Sequence, residues 1–210
     1  MEYRGLIIAT SPKVYEPAED SFLAAEVVSG VLPGLGREAR VLDVGTGTGV
    51  LGLVASMDSE VVETVFSDVN ADAVELARTN FQANRTWFSA RGSFLRSDLL
   101  SGIAEGEMFD LIIFNAPYLR NENEGEERER NAWSGGKEGV ELSIKFLEEA
   151  TPHLAEDGAI VLVASSFSNL EKLMKAVERL GLSISSQAKR HIFFEDIICL
   201  DMRMRRPGKM

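Results

Sequence analysis

A glycine-rich segment at the end of a short apolar run is the first candidate for a ligand-binding site. Asp43-Val44-Gly45-Thr46-Gly47-Thr48-Gly49 precedes a second apolar stretch at 50–57. Glycines permit a tight turn and let backbone N–H groups approach a ligand at the start of a helix. The pattern D-x-G-x-G-x-G is typical of enzymes that use S-adenosylmethionine. Gly47, Gly49 and Gly52 also fit the G-x-G-x-x-G spacing of dinucleotide-binding proteins, so two cofactor classes remain open.

Three acidic residues, one at the start of this segment and two after later predicted strands, are candidates for binding the cofactor. Asp68 ends a β-rich stretch and is placed to accept hydrogen bonds from two ribose hydroxyls, a geometry that both cofactor classes use. Asp43 favours a cationic ligand such as S-adenosylmethionine, because a carboxylate there would repel the pyrophosphate of NAD. Asp98 follows a third predicted strand and could accept a hydrogen bond from an adenine amino group, although such a residue also suits a turn or a helix cap.

The strongest single motif is Asn115-Ala116-Pro117-Tyr118, which follows the apolar run FDLIIF. An amide nitrogen is a poor nucleophile, so methyl transfer to it requires two neutral acceptors that hold its N–H groups and direct it at the methyl. The Asn115 side-chain oxygen and the Ala116 carbonyl could supply them. Pro117 restricts its own backbone and that of Ala116, and Tyr118 could stack on a planar amide or base. Asn115→Ala is expected to abolish methyl transfer, and Asn115→Asp is expected to be a milder lesion if one acceptor oxygen suffices, because the carboxylate still accepts.

Alternation of apolar strands with helical periodicity predicts an α/β fold, with a largely parallel sheet and helices on both faces. The carboxyl ends of the strands should then carry the motifs above. Predicted strands cover 41–44, 61–69, 93–96, 109–115 and 159–165, and predicted helices cover 17–31, 50–57, 70–84, 139–154 and 168–180. The segment 182–202 predicts two antiparallel strands around Lys189–Arg190.

Composition narrows the class of protein. The 210 residues carry 22 basic and 33 acidic side chains, a net charge of −11, which argues against a general phosphate-backbone binder. One cysteine, Cys199, and two histidines are too few for a disulfide or a Cys/His zinc site, and no metal is expected. No apolar run is long enough to span a membrane. These features predict a cytoplasmic protein of one domain.

We expect three parts in that domain: an N-terminal extension and helix (1–35), a Rossmann-like core (40–202) and a basic tail (203–210). The charged segment 121–130 has the composition of a solvated loop, and its place straight after the N-A-P-Y motif also makes it a candidate lid.

Together the motifs identify a resemblance to the class I methyltransferases with an N-P-P-Y signature. The segment Val14-Tyr15-Glu16-Pro17-Ala18-Glu19-Asp20-Ser21-Phe22-Leu23 resembles the V-Y-E-P-A-E-D-T-F-L-L opening of the archaeal and eukaryotic HemK/PrmC-related family. Trp133-Ser134-Gly135-Gly136-Lys137-Glu138-Gly139 resembles that family's A-W-A-G-G-x-x-G segment. Ala116 replaces the usual first proline and Ser21 replaces the usual threonine. The resemblance covers about 14–202.

The resemblance implies a seven-stranded fold and methylation of the glutamine amide in the Gly-Gly-Gln motif of a class 1 translation release factor. S-adenosylmethionine would be the methyl donor and S-adenosylhomocysteine the product. A small zinc-binding activator subunit is a possible partner. By resemblance, Asn115 to Tyr118 would hold the glutamine, and the cofactor site would be lined by Ser21, Asp43, Gly45, Asp68, Asp98, Leu99 and Asn115, together with Gly47 and Gly49 of the glycine-rich turn.

Other functions remain open at this point. A nucleic-acid amino methyltransferase or a protein lysine methyltransferase would use the same motifs, although the acidic charge disfavours nucleic acid. An NAD-dependent oxidoreductase would use Gly47, Gly49, Gly52 and Asp68 but lacks an obvious proton donor. A non-catalytic scaffold is disfavoured by the intact acceptor motif.

Overall fold

The computed structural model describes residues 1–117 and 138–205. Its main feature is a seven-stranded sheet in the order β5-β4-β3-β6-β7-β9-β8, and a two-stranded hairpin, β1–β2, precedes it. The strands are β1 (Glu2–Tyr3), β2 (Leu6–Ile7), β3 (Ala39–Val44), β4 (Val61–Asp68), β5 (Arg91–Arg96), β6 (Phe109–Phe114), β7 (Leu154–Ser165), β8 (Leu182–Ile192) and β9 (Glu195–Met204). The helices are α1 (Glu19–Val31), α2 (Val50–Ser56), α3 (Ala71–Ala83), α4 (Glu141–Ala150) and α5 (Leu170–Arg179).

The sheet is mostly parallel. Strands β5, β4, β3, β6 and β7 pair in parallel, whereas β9 lies antiparallel between β7 and β8. The predicted α/β architecture with an antiparallel C-terminal pair is therefore confirmed. Because the parallel strands end at the same edge, the segments after β3, β4 and β6 are brought together there.

Helices cover both faces of the sheet. Alternate side chains of β3, such as Val41 and Leu42, enter two separate apolar clusters. One cluster packs the sheet against α1, α2 and α3, and the other packs it against α4 and α5. Both faces are apolar, which is why the central strands are continuous hydrophobic runs rather than alternating ones.

Two boundaries in the C-terminal part differ from the sequence prediction. The antiparallel strands are joined at Phe193–Phe194, with Ile192 opposite Glu195, and not at Lys189–Arg190. Strand β9 continues to Met204, so Arg203 belongs to the sheet rather than to a tail. The Arg203 guanidinium donates to the Asp157 carbonyl at 3.0 Å.

The N-terminal residues pack against the rest of the domain. The Asn80 side chain on α3 accepts from the Ala9 N–H at 2.8 Å and donates to the Ala9 carbonyl at 3.0 Å and the Thr48 carbonyl at 2.9 Å. One turn later, Asn84 pairs with both backbone groups of Ile7. Two amides on one helix face therefore fix the segment before α1 and also the glycine-rich turn. Within the described ranges, none of the helices is long and apolar enough to cross a membrane.

Candidate active site

The glycine-rich turn is organised around the buried carboxylate of Asp43. One oxygen of Asp43 accepts from the Thr46 hydroxyl at 2.6 Å and from the Gly52 N–H at 3.0 Å. Burial raises the pKa of Asp43 to about 7, although these two donors oppose the shift. The structure thus shows Asp43 holding the turn and the start of α2; its contact with a cofactor stays a prediction.

The turn needs its glycines for backbone geometry and for space. Gly45, Gly47 and Gly49 have φ values of +60°, +55° and +86°, a region that other residues rarely adopt. A Cβ on Gly49 would lie 3.1 Å from the Ala77 Cβ of α3. The segment 43–52 also contains no lysine or arginine. It can therefore approach a ligand closely but has no cation to neutralise a pyrophosphate.

Asp68 lies beside this turn at the end of β4, as predicted. Its two carboxylate oxygens accept from the Gly47 N–H at 3.0 Å and the Asn70 N–H at 2.8 Å. Burial raises its pKa, and the backbone donors act in the opposite direction. A carboxylate oxygen can accept more than one hydrogen bond, so these contacts leave acceptor capacity for the two ribose hydroxyls.

Asn115 is held by the first turn of α1. Its Nδ2 donates to Asp20 Oδ2 at 3.1 Å and to Ser21 Oγ at 3.3 Å. A carboxylate only accepts, so the amide nitrogen must face Asp20 and the amide oxygen must point away. That oxygen, Asn115 Oδ1, is buried and receives no hydrogen bond within the described part of the chain. A buried acceptor without a donor is costly, and a substrate N–H would satisfy it.

Ala116 and Pro117 extend the site beyond Asn115. Ala116 is buried and Pro117 is half-buried. The alanine at the position of the usual proline retains its carbonyl, and Pro117 lacks a backbone N–H. Tyr118, the fourth residue of the motif, lies outside the described residues, as do the candidate lid 121–130 and the segment 133–137.

Asp98, a predicted site residue, lies in an exposed turn after β5. Its side chain is 67% exposed and lies 3.6 Å from Lys145 Nζ of α4, and its carbonyl accepts from the Ser101 N–H in a turn. This is the turn environment that the sequence left open as an alternative. Leu99 beside it is buried with φ +48°, a strained conformation at the carboxyl edge of the sheet. The adenine contact of Asp98 and the place of Leu99 in the cofactor site stay predictions.

Asp20, which holds the Asn115 amide, is a site residue that the sequence alone did not indicate. Its carboxylate is buried, and besides Asn115 it accepts from the Ser21 N–H at 2.7 Å, the Ser21 hydroxyl at 3.2 Å and the Tyr15 hydroxyl at 3.2 Å. Burial raises the pKa of the Tyr15 hydroxyl, and the Asp20 carboxylate adds to the shift. Asp20 lies within the V-Y-E-P-A-E-D-S segment, beside Ser21, and this position was the available signal.

The donor set at this edge fits S-adenosylmethionine. It combines an acidic side chain for ribose hydroxyls, a turn with three glycines that bring the backbone close to a ligand, and a buried amide oxygen that receives no hydrogen bond from the described residues. The fold and these groups define a class I methyltransferase of the Rossmann-like type.

Comparison with known proteins identifies the family. Residues 23–190 match the methyltransferase small domain. A protein of Methanocaldococcus jannaschii that carries the name protein N5-glutamine methyltransferase is 30% identical over 203 residues, which are 96% of this chain and 97% of that protein. The catalytic subunit mtq2 of the eRF1 methyltransferase of Schizosaccharomyces pombe is 25% identical over 192 residues, 84% of this chain and 83% of that protein.

A solved structure shows the same fold. The Mtq2–Trm112 complex of E. cuniculi, described as responsible for methylation of the eRF1 translation termination factor, superposes with a TM-score of 0.66 and 23% identity over 92% of this chain and 99% of that one. This chain therefore belongs to the HemK/PrmC-related protein glutamine N5-methyltransferases, within the methyltransferase small domain family. It is an S-adenosylmethionine-dependent enzyme.

Proposed function

We propose that this enzyme methylates the side-chain amide nitrogen of the glutamine in the Gly-Gly-Gln loop of a class 1 translation release factor. The observation that carries the proposal is the buried Asn115 Oδ1 at the carboxyl edge of the sheet, which receives no hydrogen bond from residues 1–117 and 138–205. A neutral primary amide offers an N–H to that oxygen without a charge to bury. A lysine ammonium would first have to lose its proton.

The chain's own residues orient the amide. When bound, S-adenosylmethionine supplies an electrophilic methyl group. In this proposal Asn115 Oδ1 accepts one amide N–H and the Ala116 carbonyl accepts the other, so the nitrogen is held in one orientation. Asp20 and Ser21 fix the rotamer of Asn115, so that its oxygen, and not its nitrogen, faces the substrate.

Two further observations support the substrate class. The two eRF1-directed proteins named above act on a translation termination factor. The chain carries a net charge of −11, which would attract a basic protein surface and repel a nucleic-acid backbone. Glycines on either side of a glutamine would let an extended loop enter a narrow slot.

The test offers the enzyme three substrates: the cognate release factor, its Gln→Asn variant at the loop, and single-stranded or duplex DNA. Transfer of a tritiated methyl group is followed by mass spectrometry of the modified peptide. We expect methylation of the glutamine amide in the first substrate alone. Equal or faster methylation of DNA, or no loss with the Gln→Asn variant, would assign a different substrate class.

A small activator subunit is part of this proposal, supported by the Mtq2–Trm112 assembly. Zinc binding by that subunit is the finer part and is tested separately. Co-expression with the host's Trm112-like protein is expected to yield a stable complex with higher activity, and metal analysis of the complex should find one zinc bound to the partner. A fully active chain that forms no complex would contradict the activator.

Cytoplasmic location is likewise proposed, since the proposed substrate acts in translation and the single cysteine forms no internal disulfide. Fractionation of cells that express a tagged chain tests it.

A further inference from the structure

The β8–β9 hairpin ends in two phenylalanines that the catalytic site does not use. Phe193 and Phe194 are 88% and 89% exposed, the highest values among the large apolar residues that the structure describes. Phe167, in the turn after β7, is 51% exposed. The Asp196 N–H donates to Ser166 Oγ and the Ser166 N–H donates to the Asp196 carbonyl, both at 2.9 Å, so this turn is fixed beside the hairpin. We call Phe167, Phe193 and Phe194 the aromatic tip.

The backbone conformation at Phe193 is unfavourable for a residue with a side chain. Phe193 has φ +55° in a two-residue turn between Ile192 and Glu195. Glycine or asparagine normally takes such a position, because a side chain with a Cβ is strained there. Local rules are most often broken where function requires it, and here an exposed aromatic ring is retained in place of a residue that would stabilise the turn.

The hairpin is bound firmly to the helix that forms the active site. Arg190 of β8 donates to Glu19 and to Glu26 of α1, each at 2.8 Å. Glu19 directly precedes Asp20, which holds Asn115. The Ser165 hydroxyl at the end of β7 also donates to Glu195. The aromatic tip is therefore held in a defined position relative to the acceptor amide.

Strand register gives the distance between the tip and the site. Phe114 lies opposite Leu162, and Ser165 lies opposite Ile197. The tip thus projects roughly five to six residues beyond Asn115 along the strands and two strands to the side. With about 3.3 Å per residue and about 4.8 Å per strand, the separation is about 20 Å. A glutamine and its neighbours cannot span that distance, whereas a folded protein that presents the glutamine on a loop can.

We propose that the aromatic tip docks into an apolar depression on the body of the protein substrate, while the substrate's glutamine loop enters the Asn115 site. This inference rests on the proposed function. The tip lies on the same edge of the sheet as the site and is continuous with it through α1. Arg190 beside the tip is paired with two glutamates, so these three side chains carry a net negative charge, in a chain of net charge −11. The depression on the substrate is therefore expected to have a basic rim.

The test compares an intact release factor with a short Gly-Gly-Gln peptide as substrates, using the full chain with its activator where one is needed. The variant is Phe193→Gly combined with Phe194→Ser. Glycine relieves the positive φ at 193, so this variant is expected to unfold at no lower temperature than the wild type. The matched control is Ile184→Ser, which removes a partly exposed apolar side chain at the opposite end of the same hairpin.

We expect kcat/KM for the intact factor to fall about tenfold or more, mainly through KM, as for the loss of an interface anchor. Turnover of the peptide should not change, and Ile184→Ser should behave as the wild type with both substrates. An unchanged kcat/KM for the factor, or an equal loss with the peptide, would overturn the docking proposal alone. A wild-type enzyme that leaves the factor unmethylated would overturn the proposed function and, with it, the docking. A wild-type dimer that the double variant disrupts without loss of kcat/KM would assign the tip to contact between two copies.

Discussion

Replacing Asp20 with asparagine should reverse the orientation of the acceptor amide. Asp20 Oδ1 accepts from the Ser21 N–H, the Ser21 hydroxyl and the Tyr15 hydroxyl, and Oδ2 accepts from Asn115. An asparagine has one oxygen, which the donors on the Oδ1 side will retain. Its NH2 group must then face Asn115, where two NH2 groups would meet unless the Asn115 amide rotates by half a turn. Rotation would present Nδ2, a donor, to the substrate's own NH2 group.

The expected cost is that of losing a hydrogen bond to a charged group, about 1.5–3 kcal/mol. At about 1.4 kcal/mol per tenfold change, kcat/KM should fall roughly 10- to 150-fold. Radiometric methyl transfer measures this loss, and calorimetry with S-adenosylhomocysteine should show nearly unchanged affinity. The matched control is Glu171→Gln, an acid-to-amide change in the first turn of another helix, α5, where the side chain pairs with Lys175. Full activity in the Asp20→Asn enzyme would refute the proposed orientation of Asn115.

Three further predictions concern the same edge of the sheet. Asn115→Asp places a carboxylate against that of Asp20, so it should abolish transfer instead of being milder than Asn115→Ala, as the motif alone had indicated; turnover clearly above that of Asn115→Ala would contradict this. Asp68→Ala should weaken S-adenosylhomocysteine binding by about 1.5–3 kcal/mol in calorimetry, and an unchanged Kd would remove Asp68 from the ribose role. Asp43, whose pKa is raised to about 7, keeps its proton in the folded state at pH values where the unfolded chain has lost it. Its contribution to stability is therefore present at pH 4 and lost as pH rises through 7. Denaturation from pH 4 to 8 should show the wild type losing stability relative to Asp43→Asn, and parallel curves would argue against the shift.

The sequence was sufficient for the site's outline because the fold makes its geometry simple. Parallel strands end at one edge, so a glycine turn, Asp68 and Asn115 after three different strands had to converge there. Three glycines at alternate positions predict a tight turn, because glycine adopts positive φ readily, and all three do so in the structure. The strands could be predicted from short apolar runs, and the helices from apolar residues at helical spacing.

Two features could not be read in the same way. Asp20 contacts Asn115 across 95 residues of sequence, and an acid in a first helical turn has an ordinary explanation in the helix dipole. The turn at Phe193–Phe194 carries no glycine, proline or asparagine, whereas Lys189–Arg190 offered a charged break near the middle of the β-rich stretch. In both places tertiary contacts, and not local preference, determine the conformation.

The insertion of β9 between β7 and β8 also sets the order in which the enzyme can be completed during synthesis. Strand β7 gains its second neighbour only when residues through Met202 are available to pair with Ile160–Ser165. Until then the ribosome-bound chain presents the open edge of one of its most apolar strands, with Ile160, Val161, Leu162 and Val163 fully buried in the finished sheet. Such an edge invites pairing with other nascent chains. The last strand to emerge is therefore the one that protects the core against aggregation.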